Sequence, residues 1–141
     1  MEASLLDRIR TEIAALEPSD ERSAEIWIAG PSALLIAKIH KINERLDSPN
    51  RLSDKDALDV FRLLQCVTTN SLTDRLNELR SSELAGDATS RALDVLPALF
   101  GSLGSPGTRM AVRAAGEQSL DATIAASLVA LVQELLDDLA L

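Results

Sequence analysis

Two amphipathic segments joined by a tight polar turn constrain this chain more than any other feature of its sequence. They occupy Gly30 to Gln65, GPSALLIAKIHKINERLDSPNRLSDKDALDVFRLLQ. At about 100° per residue, Leu34, Leu35, Ile39, Ile42 and Leu46 fall on one stripe of the first segment. Ala57, Leu58, Val60, Phe61, Leu63, Leu64 and Val67 form the stripe of the second. Pro31 suits a first helical turn, where its missing N–H costs little, and Ser48-Pro49-Asn50 makes the turn. So short a connection predicts an antiparallel hairpin with Leu35, Ile39, Ile42, Val60, Phe61 and Leu64 in a shared core. Each stripe also contains a charge. Lys38 lies between Leu34 and Ile42, and Asp56 between Leu63 and Val67. A charge in an apolar face is costly without a partner.

The remaining segments continue the helical pattern. Leu5, Leu6, Ile9, Ile13 and Leu16 at helical spacing predict an amphipathic helix over residues 2–16, ended by Pro18-Ser19-Asp20. Thr69 to Thr73 is a polar break, and Thr73 to Ala85 a more polar helix closed by Gly86. A further helix runs from Asp87 to Phe100, a surface loop from Gly101 to Thr108, and a short helix from Arg109 to Ala115. Gly116 to Ser119 then separates off a last helix, Leu120 to Leu139. Its stripe of Leu120, Ile124, Leu128, Leu131, Leu135 and Leu139 is widened by Val132 and Leu136, which predicts a central position. Only Ala24 to Ala29, AEIWIA, reads as extended. A lone strand leaves its backbone groups unpaired. It is either an extended lead-in packed on helices or an orphaned strand whose sheet belongs to a missing region or another subunit.

The expected fold is therefore all-α. It is a multi-helix bundle around the hairpin at 30–67 and a central C-terminal helix, with at most one short strand near 24–29. Composition agrees: 46% of the 141 residues are hydrophobic but only 2% aromatic, a profile that suits packed helices better than sheets. The length fits one helical domain, 1–141, or a piece of a larger protein. With 14 Lys+Arg against 22 Asp+Glu, the net charge of −8 argues against nonspecific nucleic-acid binding. The single cysteine, Cys66, makes no internal disulfide and fits a reducing cytoplasm. The charged first segment is unlike a signal peptide. The apolar run near Ile124 to Val132 is shorter than the ~20 residues that span a bilayer.

Candidate chemistry is sparse. His40, the only histidine, lies opposite the apolar stripe and reads as solvent-facing. One histidine and one cysteine make a zinc site or a thiolate nucleophile untenable. The glycine-rich loop lacks both the phosphate-cradling pattern and a preceding strand. Asp54, Asp56 and Asp59 look like a cluster, but an acidic first turn is ordinary helix chemistry, and Ser53-x-x-Asp56 has the pattern of a capping box. The sharper signal is Lys38 with Asp56. They form either an ion pair between helices or a lysine held for a phosphate by an aspartate behind it.

Lys38 with Arg45, followed by Lys55-Asp56-x-x-Asp59, resembles the last two motifs of AbiEii-type nucleotidyltransferases, the toxins of bacterial toxin–antitoxin and abortive-infection systems. The likeness lies in GPSALLIAKIHKINERL and RLSDKDALDVFRLL, about a quarter of the chain. It departs at Ile42, where the family often has a small residue, and in an arginine spacing one residue short. It implies that Lys38, Lys55, Asp56 and Asp59 face a nucleotide site. The family's Gly-Gly/Ser segment and metal-holding acids have no counterpart upstream of Gly30, so the resemblance is to the helical half without its catalytic palm. On that likeness no complete catalytic set and no metal site are present, and magnesium with a nucleoside triphosphate would bind only if a palm domain completed the site.

Two functional expectations follow. One is a helical subdomain of a nucleotidyltransferase-like protein, inactive alone and supplying Lys and Asp contacts to a nucleotide. The other is a stand-alone helical interaction module, homodimeric or antitoxin-like, with no membrane partner.

Overall fold

The computed structural model describes residues 2–116 and 121–141. Leu120, expected to open the last stripe, and most of the expected break at Gly116 to Ser119 lie outside the described residues. The architecture is mostly helical, with one small two-stranded antiparallel sheet.

The sheet corrects the all-α expectation. A single turn of helix, α1 (Ala3–Leu6), ends at Asp7, whose backbone turns extended. The chain then forms β1 (Arg8–Ala14) and β2 (Ser23–Ala29), paired from Arg8↔Ala29 to Ala14↔Ser23. The apolar residues that suggested a helix over 2–16 also alternate, as Ile9, Thr11 and Ile13 between Arg8, Arg10 and Glu12. All three are β-branched, which favours the strand. Pairing with β2 gives both strands the backbone partners that a lone strand lacks. The partner of the AEIWIA strand is thus within the chain and the strand is largely exposed, so both alternatives, a lead-in packed on helices and an orphaned strand, fall.

Six longer helices follow. They are α2 (Pro31–Arg45), α3 (Asp54–Cys66), α4 (Thr69–Arg80), α5 (Gly86–Phe100), α6 (Pro106–Ala115) and α7 (Asp121–Asp138). A 3-10 turn at Pro49–Arg51 closes the α2–α3 hairpin. The run at Thr69 to Thr73, expected to be a break, is instead the first turn of α4. Thr68 caps it, its hydroxyl accepting from the Ser71 amide at 3.4 Å. Short polar side chains favour such positions because they satisfy otherwise unpaired N–H groups.

Leu35, Ile39, Ile42, Val60, Phe61 and Leu64 are all buried in one core, as the stripes predict. Leu34 is the exception and lies at the rim, while Ala33 and Ile36 face inward in its place. The α7 helix packs against α3, α4, α5 and α6 and buries Leu128, Val132, Leu135, Leu136 and Leu139, so it is central. Between α5 and α6 the backbones approach closely. A Cβ on Gly107 would lie 2.5 Å from Phe100 Cε1 and 2.7 Å from the Leu99 carbonyl oxygen. No described helix is long and apolar enough to cross a membrane.

Candidate functional site

Lys38 and Asp56 meet. In the antiparallel hairpin, Lys38 on α2 lies level with the stretch of α3 that carries Asp56 and Asp59. Its Nζ donates to Asp56 Oδ1 at 2.7 Å and to Asp59 Oδ2 at 2.8 Å. Lys41, one helical turn along α2, donates to Asp56 Oδ1 at 2.9 Å and lies 2.7 Å from Oδ2. Arg62 reaches Asp59 Oδ1 at 3.3 Å from the solvent side. The Asp56 side chain is only 6% exposed and Lys38 25%, so the centre of the network is sheltered and its outer members are wet.

This geometry replaces the expected capping box. Ser53 is the N-cap residue of α3, but its side chain makes no capping bond, and the Asp56 carboxylate is spent on two lysines. Two ammonium groups, each a full positive charge, are stronger partners for a sheltered carboxylate than a backbone N–H. Asp54 turns elsewhere and binds Arg113 of α6 through two hydrogen bonds, at 2.8 and 2.7 Å. Lys55 is exposed and enters no described hydrogen bond or ion pair. Its charge acts on Asp59 only at a distance. Of the four residues expected at a site, Lys38, Asp56 and Asp59 are together and Lys55 is not.

Burial pushes the Asp56 carboxyl up, but the hydrogen bonds and charges of Lys38 and Lys41 outweigh it and hold the group below the ordinary carboxylate range. The Lys38 hydrogen bond holds Asp59 low, against weaker burial. Burial pushes the Lys38 ammonium down, and the two aspartates outweigh that and raise it. All three are therefore charged at neutral pH. Beside the network, Leu34, Lys38, Asp59, Arg62, Leu63 and Cys66 line an open groove of about 260 Å³. With both carboxylates occupied by cations, a metal there would have to displace lysines. Among the described residues no group of three or more His, Cys, Asp or Glu is placed to hold an ion.

Lys41 and Arg62 join the network without standing out in the sequence. The signal for both was a spacing of three residues, from Lys38 and from Asp59. His40 corrects another expectation: it is half-buried, with Nε2 2.7 Å from the Ala88 carbonyl oxygen of α5. Helix α5 packs on the side of α2 that carries His40, where Ala33 and Ile36 are also buried. A cavity of about 540 Å³ near it is lined by His40, Lys41, Glu44 and Arg91 together with the buried Ala3 and Ala33.

No family model, no curated protein and no solved structure matches the chain.

Proposed function

We propose that the chain is a helical protein–protein interaction module that presents the β1–β2 ribbon for docking. The observation that carries this reading is the apolar face of the ribbon. Ile9, Ile13, Ile26 and Ile28 share it and remain 50%, 47%, 40% and 42% exposed. An isolated two-stranded sheet is marginal in water, and a contiguous exposed apolar patch marks an interaction site. The helical core holds the ribbon through Asp7 and Gly30, and among the described residues no further strand pairs with either edge. A cytoplasmic setting suits a chain whose single cysteine is free and exposed.

A photo-crosslinking side chain tests it. Placed at Ile26 in cells making the chain, it is expected to give a discrete adduct that Ile9→Asp abolishes while the thermal melt stays unchanged. The same group at exposed Leu103, in the connection between α5 and α6, gives none. Absence of ribbon adducts overturns the reading.

A second reading, the helical half of a nucleotidyltransferase-like protein, draws support from one arrangement. Lys38 reaches the two aspartates of the Lys55-Asp56-x-x-Asp59 motif across two helices, on the rim of a groove. There Lys38, Asp56 and Asp59 would attend a nucleotide, with magnesium, only beside a separate palm domain.

A further inference from the structure

Resting on the interaction-module reading, we propose that the ribbon's partner is a second copy of this chain, joined edge to edge through β1 about a two-fold axis at Thr11. The sequence of β1 is complementary to its own reversal. Pairing Thr11 with Thr11 of the second copy puts Arg10 opposite Glu12, Ile9 opposite Ile13 and Arg8 opposite Ala14, twice over. Within its own ribbon Arg10 pairs with Glu25 and Glu12 accepts from Ser23, all of them exposed, so the cross-copy pair shares these partners. Opposite charges and apolar pairs at directly facing positions stabilise a sheet, and like charges destabilise it.

The hydrogen-bonding direction agrees. The Gly30 amide donates to the Asp7 carbonyl at 2.8 Å and the Ala15 amide to the Arg22 carbonyl at 2.9 Å, so the odd-numbered residues of β1 face β2. By the alternation of an antiparallel ladder, Arg8, Arg10, Glu12 and Ala14 turn their N–H and C=O groups to the open edge. Centring on Thr11 makes Arg10–Glu12 a hydrogen-bonded pair and Thr11–Thr11 the close, non-bonded one. Moving the centre by one residue sets Arg10 against Arg10 or Glu12 against Glu12. The outer edge of β2 offers no equivalent, since centring on Ile26 sets Glu25 against Trp27. The product is a four-stranded antiparallel sheet with the isoleucines of both copies on one face. The same register brings Leu16 at one ribbon tip, fully exposed in the single chain, toward Leu6 at the other ribbon's base.

The experiment is sedimentation of the full chain from micromolar to near-millimolar concentration, with two sets of variants. Wild type is expected to show a concentration-dependent dimer. Arg10→Glu, and separately Glu12→Arg, weaken it at least about tenfold by setting like charges opposite each other at both symmetric positions. The double swap Arg10→Glu/Glu12→Arg recovers most of the loss. In a Cys66→Ser background, Thr11→Cys closes an intermolecular disulfide on mild oxidation. A close antiparallel pair holds Cα atoms about 4.5 Å apart, within disulfide reach. Ala24→Cys, on the other strand, does not crosslink. Circular dichroism on each variant separates lost pairing from lost folding. A monomer across the whole range, a dimer indifferent to both charge reversals, or no Thr11→Cys crosslink overturns the proposal. If the chain is monomeric but Ile26 crosslinks to a different protein in cells, the homodimer fails and the interaction-module reading stands. If neither is seen, both fail.

Discussion

The carboxylate of Asp7 fills the space that a side chain on Gly30 would need: a Cβ built there would lie 2.3 Å from Asp7 Oδ1. Asp7 Oδ2 accepts the Ala33 amide at 2.8 Å and so caps α2 from outside the helix, while Gly30, the N-cap residue, has no side chain to do it. Arg75 of α4 donates to Asp7 Oδ1 at 3.3 Å and to the Leu6 carbonyl. Asp7 thereby ties the ribbon, α2 and α4 at one point. Gly30→Ala is expected to cost about 1–3 kcal/mol, the range for losing a cap and leaving the buried Ala33 amide donor unpaired. In an Asp7→Ala background the same change should cost far less, because the clash has gone. Urea unfolding of the four proteins of this cycle measures the coupling. Additive losses would show that the two residues do not compete for that space.

Phe61 anchors the hairpin core from α3 and is 6% exposed. Phe61→Ala is expected to cost about 3–5 kcal/mol, transfer plus cavity terms together. Chemical denaturation gives the value directly. A loss below about 1 kcal/mol, normal for a surface site, would place Phe61 outside the core.

These two sites also show which parts of the fold the sequence carried. Phe61 was legible because a helix repeats its buried face every three to four residues and buries it within the same chain. Asp7 was not, since the amide it caps lies 26 positions away. The ribbon was misread for a related reason. Leu5, Ile9 and Ile13 fit a helix period as well as Ile9, Thr11 and Ile13 fit a strand, and short apolar runs do not decide between them. Nor does burial in this chain impose either pattern, because the ribbon's isoleucines stay open. At the site, Lys38 and Asp56 stood out as charges inside apolar stripes. Lys41 did not, since its side chain is 38% exposed and sits at the stripe's edge.

The Lys38–Asp56–Asp59 network should leave a pH signature with two limbs. Asp56 and Asp59 have folded-state values below the ordinary carboxylate pKa of about 4, so their contribution is complete above that pH and is lost as pH falls through the folded values. Lys38 has a raised folded value, so its contribution is complete below about 10.4 and is lost as pH rises through the higher value. Asp56→Asn should destabilise the chain at neutral pH by about 1.5–3 kcal/mol, the range for hydrogen bonds to charged groups. The gap to wild type should narrow steadily below about pH 4. Unfolding midpoints across pH would show this, and a gap unchanged at pH 2 would deny that Asp56 is held as a carboxylate.

This chain alone should transfer no nucleotidyl group. Phosphoryl transfer needs metal-held phosphates and an in-line nucleophile. Magnesium needs oxygen ligands converging in near-octahedral geometry. Asp56 and Asp59 stand one turn apart on α3, and both already accept hydrogen bonds from Lys38. Lys41 takes more of Asp56, and Arg62 reaches Asp59. To bind a metal the carboxylates would have to release these cations, and Asp56 would lose the partners that make its burial tolerable. Lys38 offers charge to a phosphate but positions no ion. Incubation with labelled nucleoside triphosphates, magnesium and candidate RNA or protein acceptors is therefore expected to leave every acceptor unlabelled. Label transfer by the chain alone that vanishes in Asp56→Ala would establish a complete site here. Transfer only after adding a palm-bearing protein, reduced by Lys38→Ala, would favour the half-site reading over the interaction module.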